Sequence, residues 1–238
     1  MIAQTPGKIF LADERGLAES DRFRRYSTFS FGPWAHPHKG PFGRLYGLNE
    51  ETLAGGHALD FTVVEASHIV IIPITGTVTL GSFGPPETTV SVEETTVLTL
   101  PAGSTLHVRN PYDTELVSFL HIWLLADAPV ASSNEERRSF SPEAIKSQLA
   151  RLFPTAGAVS LPFTLSLGRF AGRQEAVYRL ESPANSLFVF ALAGAFEVES
   201  RLLHEKDGLA LWNVAEIELE ALSNDALIIV LELAPRST

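Results

Sequence analysis

Gly56–Gly76, GHALDFTVVEASHIVIIPITG, and Pro101–Asn110, PAGSTLHVRN, decide how this chain is read. Each pairs a tight-turn signal with a short apolar run. Gly56 and Gly76 bracket the first run, and Pro101-Ala102-Gly103 opens the second. Glycine adopts turn conformations that other residues avoid, so these positions mark strand ends. Working outward, candidate strands fall at 59–65, 68–74, 77–83, 96–100, 105–109 and 116–125. Thr75-Gly76, Gly84-Pro85-Pro86, Pro101-Ala102-Gly103 and Asn110-Pro111 separate them. Many short strands between Gly/Pro turns predict an antiparallel barrel or sandwich. Pro73 inside an apolar run predicts an edge or a bulge there.

Upstream, Tyr26–Phe31 alternates as a half-buried strand does, and Gly32-Pro33 and Gly40-Pro41 split Arg22–Asn49 into strand, loop and strand. Before residue 21 the only apolar piece is Ile9-Phe10-Leu11. Downstream, residues 126–140 read as a polar linker. Ser141-Pro142-Glu143 then reads as a helix start, giving a helix over about 142–153 stopped by Pro154. Its apolar positions Ile145, Leu149, Leu152 and Phe153 would pack on a barrel. Strands resume at 163–170, 175–180, 186–193, 195–203, 208–212, 216–221 and 226–233. LFVFALAGAFEVE (Leu187–Glu199) parallels IVIIPITGTVTL (Ile69–Leu80), and Lys206-Asp207-Gly208 stands where Pro101-Ala102-Gly103 stands in the first half. A weak internal repeat predicts a duplicated barrel. The expected fold class is therefore all-β: a first barrel at 1–127 with an N-terminal strap, a linker with one helix at 128–155, and a second barrel at 156–238.

The chain has 238 residues, 45% of them hydrophobic, enough for two real cores. It has no cysteine, which excludes a disulfide framework and a thiolate site and fits a reducing compartment. The sequence begins without a basic segment leading into an apolar run, and no stretch has the length of a membrane span. The expected location is cytoplasmic. A net charge of −10 disfavours nucleic acid as a partner. The cluster Arg22, Arg24 and Arg25 reads as a solvated or ion-paired edge.

The skeleton of the two opening stretches resembles the signature motifs of the cupin superfamily. RRYSTFSFG (Arg24–Gly32), FGRLYGLNEETLAGG (Phe42–Gly56) and FLHIWLLAD (Phe119–Asp127) are similar to segments of pirin-like bicupins and the quercetin dioxygenases among them. The resemblance implies two jelly-roll barrels, also called RmlC-like, each a double-stranded β-helix. It also implies where a metal would sit. In cupins generally the ligand positions correspond to Thr62, Val64, Ile69 and Leu106. In the pirin-like pattern the His-Pro-His falls on Thr62-Val63-Val64, a later His on Leu106 and a Glu on Val108. A metal needs several converging nitrogen or oxygen donors, and these residues do not offer them. The same spacing in the second half lands on Leu180, Ser182, Leu187 and Leu211, again without ligands. No metal and no cofactor are expected. His36-Pro37-His38-Lys39 has the look of the family's metal-binding tetrapeptide but lies in the loop well upstream of Thr62, so its two histidines are a marginal metal candidate.

Strand parity places His68 and His107 outside the barrel if Ile69, Leu106 and Val108 point in. By the same parity Glu65 faces away from Thr62 and Val64. His57 falls beside a turn and His204 in a loop. His121 is left as a strand histidine that could face the first cavity, beside Trp123. No nucleophile elbow, P-loop or dinucleotide fingerprint occurs, and no paired acid and base are evident within one cavity. The reading is a metal-free bicupin that is not an enzyme and binds a small apolar or aromatic ligand, or serves as an interaction module. Its pocket would be lined by Thr62, Val64, Ile69, Leu106, Val108, His121 and Trp123, and it could form a homodimer through edge strands. The alternatives are a quercetin-dioxygenase-like oxidoreductase with a non-standard metal site, and a cofactor-free enzyme, which would need a charged residue inside the barrel.

Overall fold

A computed structural model describes residues 5–81, 87–127, 129–154 and 161–236. The described residues form strands almost throughout, with no α-helix among them. In chain order they are β1 (Gly7–Phe10), β2 (Gly16–Glu19), β3 (Phe23–Ser27), β4 (Leu45–Leu53), β5 (Ala58–Thr62), β6 (Ser67–Thr75), β7 (Thr77–Gly81), β8 (Thr88–Ser91), β9 (Glu94–Leu100), β10 (Thr105–Arg109), β11 (Val117–Leu125) and β12 (Asn134–Ser139). They continue as β13 (Leu149–Phe153), β14 (Phe163–Phe170), β15 (Glu175–Arg179), β16 (Ser186–Ala193), β17 (Phe196–Val198), β18 (Arg201–Leu203), β19 (Gly208–Leu211), β20 (Glu216–Ala221) and β21 (Ala226–Leu233).

The chain divides into two compact units, residues 15–139 and residues 1–14 with 140–238. In the first, a seven-stranded sheet in the order β12-β9-β6-β11-β4-β3-β2 accompanies a four-stranded sheet in the order β5-β10-β7-β8. The second repeats the plan, with β1-β19-β16-β21-β14-β13 and β15-β20-β17-β18. All named pairings are antiparallel. This is the all-β, two-cupin-barrel fold class expected. The continuous apolar runs of β6 and β11 are central strands buried along nearly their whole length. EIELEA in β20 alternates exposed and buried, as a strand with one wet face must. Gly56, Gly76 and Gly103 all have positive φ, so the glycines of the opening stretches are required by their turns. Pro73 is accommodated in a central strand because the β6–β11 register shifts beside it, between Ser118 and Phe119.

Several expectations need correction. The helix over 142–153 is absent. Ser141 does cap a turn, accepting from the Ala144 N–H through both Oγ and its carbonyl. Ser147 then takes φ 56 and Leu149–Phe153 leaves as an edge strand beside β14. A register shift between Arg151 and Phe153 lets consecutive Leu152 and Phe153 both be buried, which a regular strand does not allow. The polar linker holds β12, which adds to β9 through backbone hydrogen bonds that need no apolar side chain. The N-terminal strap divides. Ile9 and Phe10 pair with Leu209 and Gly208 in β1–β19, and Phe10 meets Phe188 edge to face, so residues 7–10 belong to the second unit. Residues 195–203 are two strands, with Glu199 and Ser200 turning at positive φ.

Candidate functional site

Register sets what faces the interior of the first barrel. One row across β3, β4, β11 and β6 is Ser27, Asn49, His121 and Ile71; the next is Arg25, Glu51, Phe119 and Pro73. Alternation then places Leu53, Ile69, Phe119 and Trp123 on that face, where they join the apolar core with Leu106 and Val108. A cavity of about 500 Å³ opens from this core. Arg25, Phe31, Tyr46, Phe61 and Trp123 form its walls, and Asp60, Thr62, Val64 and Glu65 also line it.

The expected pocket residues part company. Ile69, Leu106 and Val108 are fully buried in packed core. Thr62 and Val64 are exposed, Val64 by 80%, and they line the cavity. β5 ends at Thr62, so strand parity no longer governs Val64 and Glu65. Glu65, expected to face away, lines the same cavity. Trp123 is a wall residue, while His121 is buried behind the wall with the Phe61 ring 4.8 Å from its own. The other parity arguments hold. His107 bonds exposed Asp60 at 2.6 Å, and His68 bonds Thr99 at 2.9 Å on the sheet's opposite face.

The interior also holds charges that the sequence reading missed. The Glu51 carboxylate is fully buried, and its Oε2 accepts from Arg25 Nε at 2.6 Å and meets His121 Nε2 at 3.2 Å. Trp123 Nε1 donates to His121 Nδ1 at 2.7 Å. An indole N–H can only donate, so Nδ1 carries no proton and the neutral ring bears its hydrogen on Nε2, directed at Glu51. Protonating Nδ1 would set two donors face to face. Burial pushes the His121 pKa down, and the Arg25 charge adds to this against the opposing Glu51. The Arg25 guanidinium lies 4.9 Å from the Phe61 ring centre and 5.5 Å from those of Phe23 and Phe31. Of the cluster read as a solvated or ion-paired edge, Arg22 and Arg24 are exposed, whereas Arg25 is ion-paired but buried in the interior and not at an edge. The Asn49 amide atoms and Glu51 Oε1 are buried without a hydrogen-bond partner among the described residues. The signal was present in the chain: counting back by twos from Leu53 puts Glu51 and Asn49 on its face, and Arg25 shares a face with Phe23.

Depressed histidine pKa values have a consequence for stability. Burial, with the Arg44 charge second, lowers His68 to about 4. A histidine harder to protonate in the folded state favours folding above its unfolded pKa and loses that contribution as pH falls. Unfolding midpoints should therefore drop between pH 6.5 and about 4, by up to about 1.4 kcal/mol per pH unit for each such histidine. Urea titrations of the parent and of His68→Gln should show a shallower decline in the variant.

Of the residues at the family's metal-ligand positions, Leu106 and Val108 have no donor atoms and Val64 is a solvent-exposed aliphatic chain. They do not fit a transition metal. No group of three or more His, Cys, Asp or Glu converges to hold one among the described residues. His36 and His38 are exposed with ring centres 5.7 Å apart, and His36 Nδ1 already accepts the His38 backbone N–H. In the second unit the core is apolar, and the buried Glu232 carboxylate is met by Tyr178 Oη, Asn185 Nδ2 and the Glu181 N–H.

Comparison with known proteins agrees with this architecture. Residues 161–233 match the family model of the quercetinase C-terminal cupin domain. A quercetin 2,3-dioxygenase of Escherichia coli K12 is 23% identical over 229 residues, 94% of this chain and 97% of its own. The crystal structure of YhhW from Escherichia coli superposes with a TM-score of 0.83 at 19% identity, covering 98% of this chain and all of that one. The bacterial pirin YhhW in complex with nickel(II) gives 0.79 at 20% identity, with 97% and 100% covered. The duplicated antiparallel barrels and these matches show a two-cupin fold that resembles the pirin-like bicupins, with residues 161–233 matching a quercetinase C-terminal cupin domain.

Proposed function

We propose that the first barrel is a metal-free binding pocket for a small aromatic molecule, and that the protein acts through binding rather than catalysis. The observation that carries this is the cavity wall: four aromatic rings, Phe31, Tyr46, Phe61 and Trp123, and one cation, Arg25, surround about 500 Å³. A mostly apolar cavity with few polar anchors suits a small organic ligand. Side chains without metal affinity at the family's ligand positions support the metal-free part. The test is calorimetric titration of a panel of flavonoids and smaller aromatics. Saturable binding of at least one compound is expected, weakened roughly tenfold or more by Phe61→Ala, which removes a wall ring. If no compound binds the parent protein, the pocket reading is wrong.

A second reading is a quercetin-dioxygenase-like oxidoreductase, favoured by the names of the relatives; it needs a metal that these residues are not equipped to hold. A third, a cofactor-free enzyme, gains from the charged pair Arg25–Glu51 inside the barrel. Either would show as product formed from the bound compound, and none is expected. We place the protein in the cytoplasm, a reducing compartment that suits a chain without cysteine; no helix among the described residues is long and apolar enough to cross a membrane. A homodimer through exposed strand edges remains part of the proposal, and nucleic acid does not.

A further inference from the structure

We propose that the pocket selects uncharged planar aromatic molecules carrying a strong hydrogen-bond acceptor, such as a carboxamide, lactam or ketone, over the corresponding aromatic carboxylates, with Arg25 as the anchor. The proposal rests on the pocket reading above and adds the charge and polarity of the ligand.

Arg25 lines the cavity and spends only its Nε–H on Glu51. Its Nη1 and Nη2 make no hydrogen bond among the described residues. Their four N–H groups are the donors a ligand acceptor would meet, and the flanking Phe61 and Phe31 rings hold the guanidinium plane in place. A lone arginine in such a cavity would call for a carboxylate. Here the charge is already matched: Glu51, wholly buried, neutralises Arg25 at 2.6 Å. His121 contributes no positive charge, because Trp123 donates to its Nδ1 and holds it neutral. Tyr46, with its hydroxyl on Ser67 at 2.8 Å, is a neutral phenol whose pKa burial pushes up to about 12. At the cavity lining stand two further acids, Asp60 and Glu65, the first paired with His107. A carboxylate brought beside Arg25 would create a second anion around one cation whose own side chain is largely buried, which is costly. A carbonyl oxygen accepts the same hydrogen bonds without that charge.

The test uses matched probes on the whole protein, 1-naphthamide against 1-naphthoate, by calorimetry at pH 7.5. The amide is expected to bind at least about tenfold more tightly. Glu51→Gln keeps the size of the side chain and removes the internal anion. It should raise naphthoate affinity relative to that of the amide by about tenfold or more. Circular dichroism and the thermal midpoint establish that the variant is folded, and if it is not, the parent comparison decides alone. Naphthoate binding as tightly as naphthamide to the parent would overturn the proposal while leaving the pocket intact. So would a folded Glu51→Gln protein with no gain for naphthoate relative to the amide. Binding of neither probe, nor of any compound in the wider panel, would overturn the pocket itself.

Discussion

Arg25→Ala should destabilise the first barrel by about 3–5 kcal/mol. The cause is what the substitution leaves behind. Glu51 is wholly buried, and Arg25 is its one cationic partner among the described residues. Without the guanidinium, an anion remains in an apolar interior beside a neutral imidazole, and its Oε1 already lacks a partner. Removing both charges should cost far less, because a buried ion pair is worth little against well-packed apolar groups of similar volume. Arg25→Met with Glu51→Leu is therefore expected to unfold within about 1–2 kcal/mol of the parent. Urea denaturation of the three proteins, followed by fluorescence, measures the difference. Equal losses for the single and double variants would mean that the charges do not act as a pair.

Leu106→His should destabilise by at least about 3 kcal/mol, through lost apolar burial and an imidazole without a partner in the core. Val64→His should change stability by no more than about 0.5 kcal/mol, since Val64 is 80% exposed. Both substitutions restore a histidine that the family resemblance assigns to a metal. The contrast separates two environments among the positions that the resemblance assigns to ligands. One part is core, packed with Ile69, Val108 and Trp123. The other, Thr62 and Val64, stands at the lining of the cavity and offers one hydroxyl and no imidazole.

Much of this was legible in the chain. Strands such as Glu216–Ala221 and Thr105–Arg109 fall where apolar patterning puts them, because burial of one face sets a period of two. Asn110 is a loop brace, its Nδ2 donating to the Leu53 and Glu115 carbonyls, as expected of a scaffold motif. The misplaced helix had a genuine local start signal at Ser141, but a five-residue segment gains more by pairing with β14 than by continuing one turn. NEERRS in β12 carries no apolar pattern at all, so its strand could be found only by knowing that β9 offers an edge.

The site was less legible for a related reason. The residues at the family's ligand positions, Thr62, Val64, Leu106 and Val108, say nothing of which charged groups the barrel interior holds. Glu51 and Arg25 lie in stretches that read as ordinary mixed strands, and their pairing depends on the β3–β4 register, which brings Arg25 opposite Glu51. Only then does the arginine cease to be a surface charge and become the fixed cation of the interior.

The most direct test of the central claim is metal stoichiometry. The purified protein should be equilibrated with excess nickel(II), and separately with iron(II), copper(II) and manganese(II), then desalted and subjected to elemental analysis beside a Glu51→Gln control. A metal-free barrel with Arg25 as its internal cation predicts far less than one ion per chain in every case, and no difference between the two proteins. One ion per chain, retained through desalting and lost in Glu51→Gln, would contradict it.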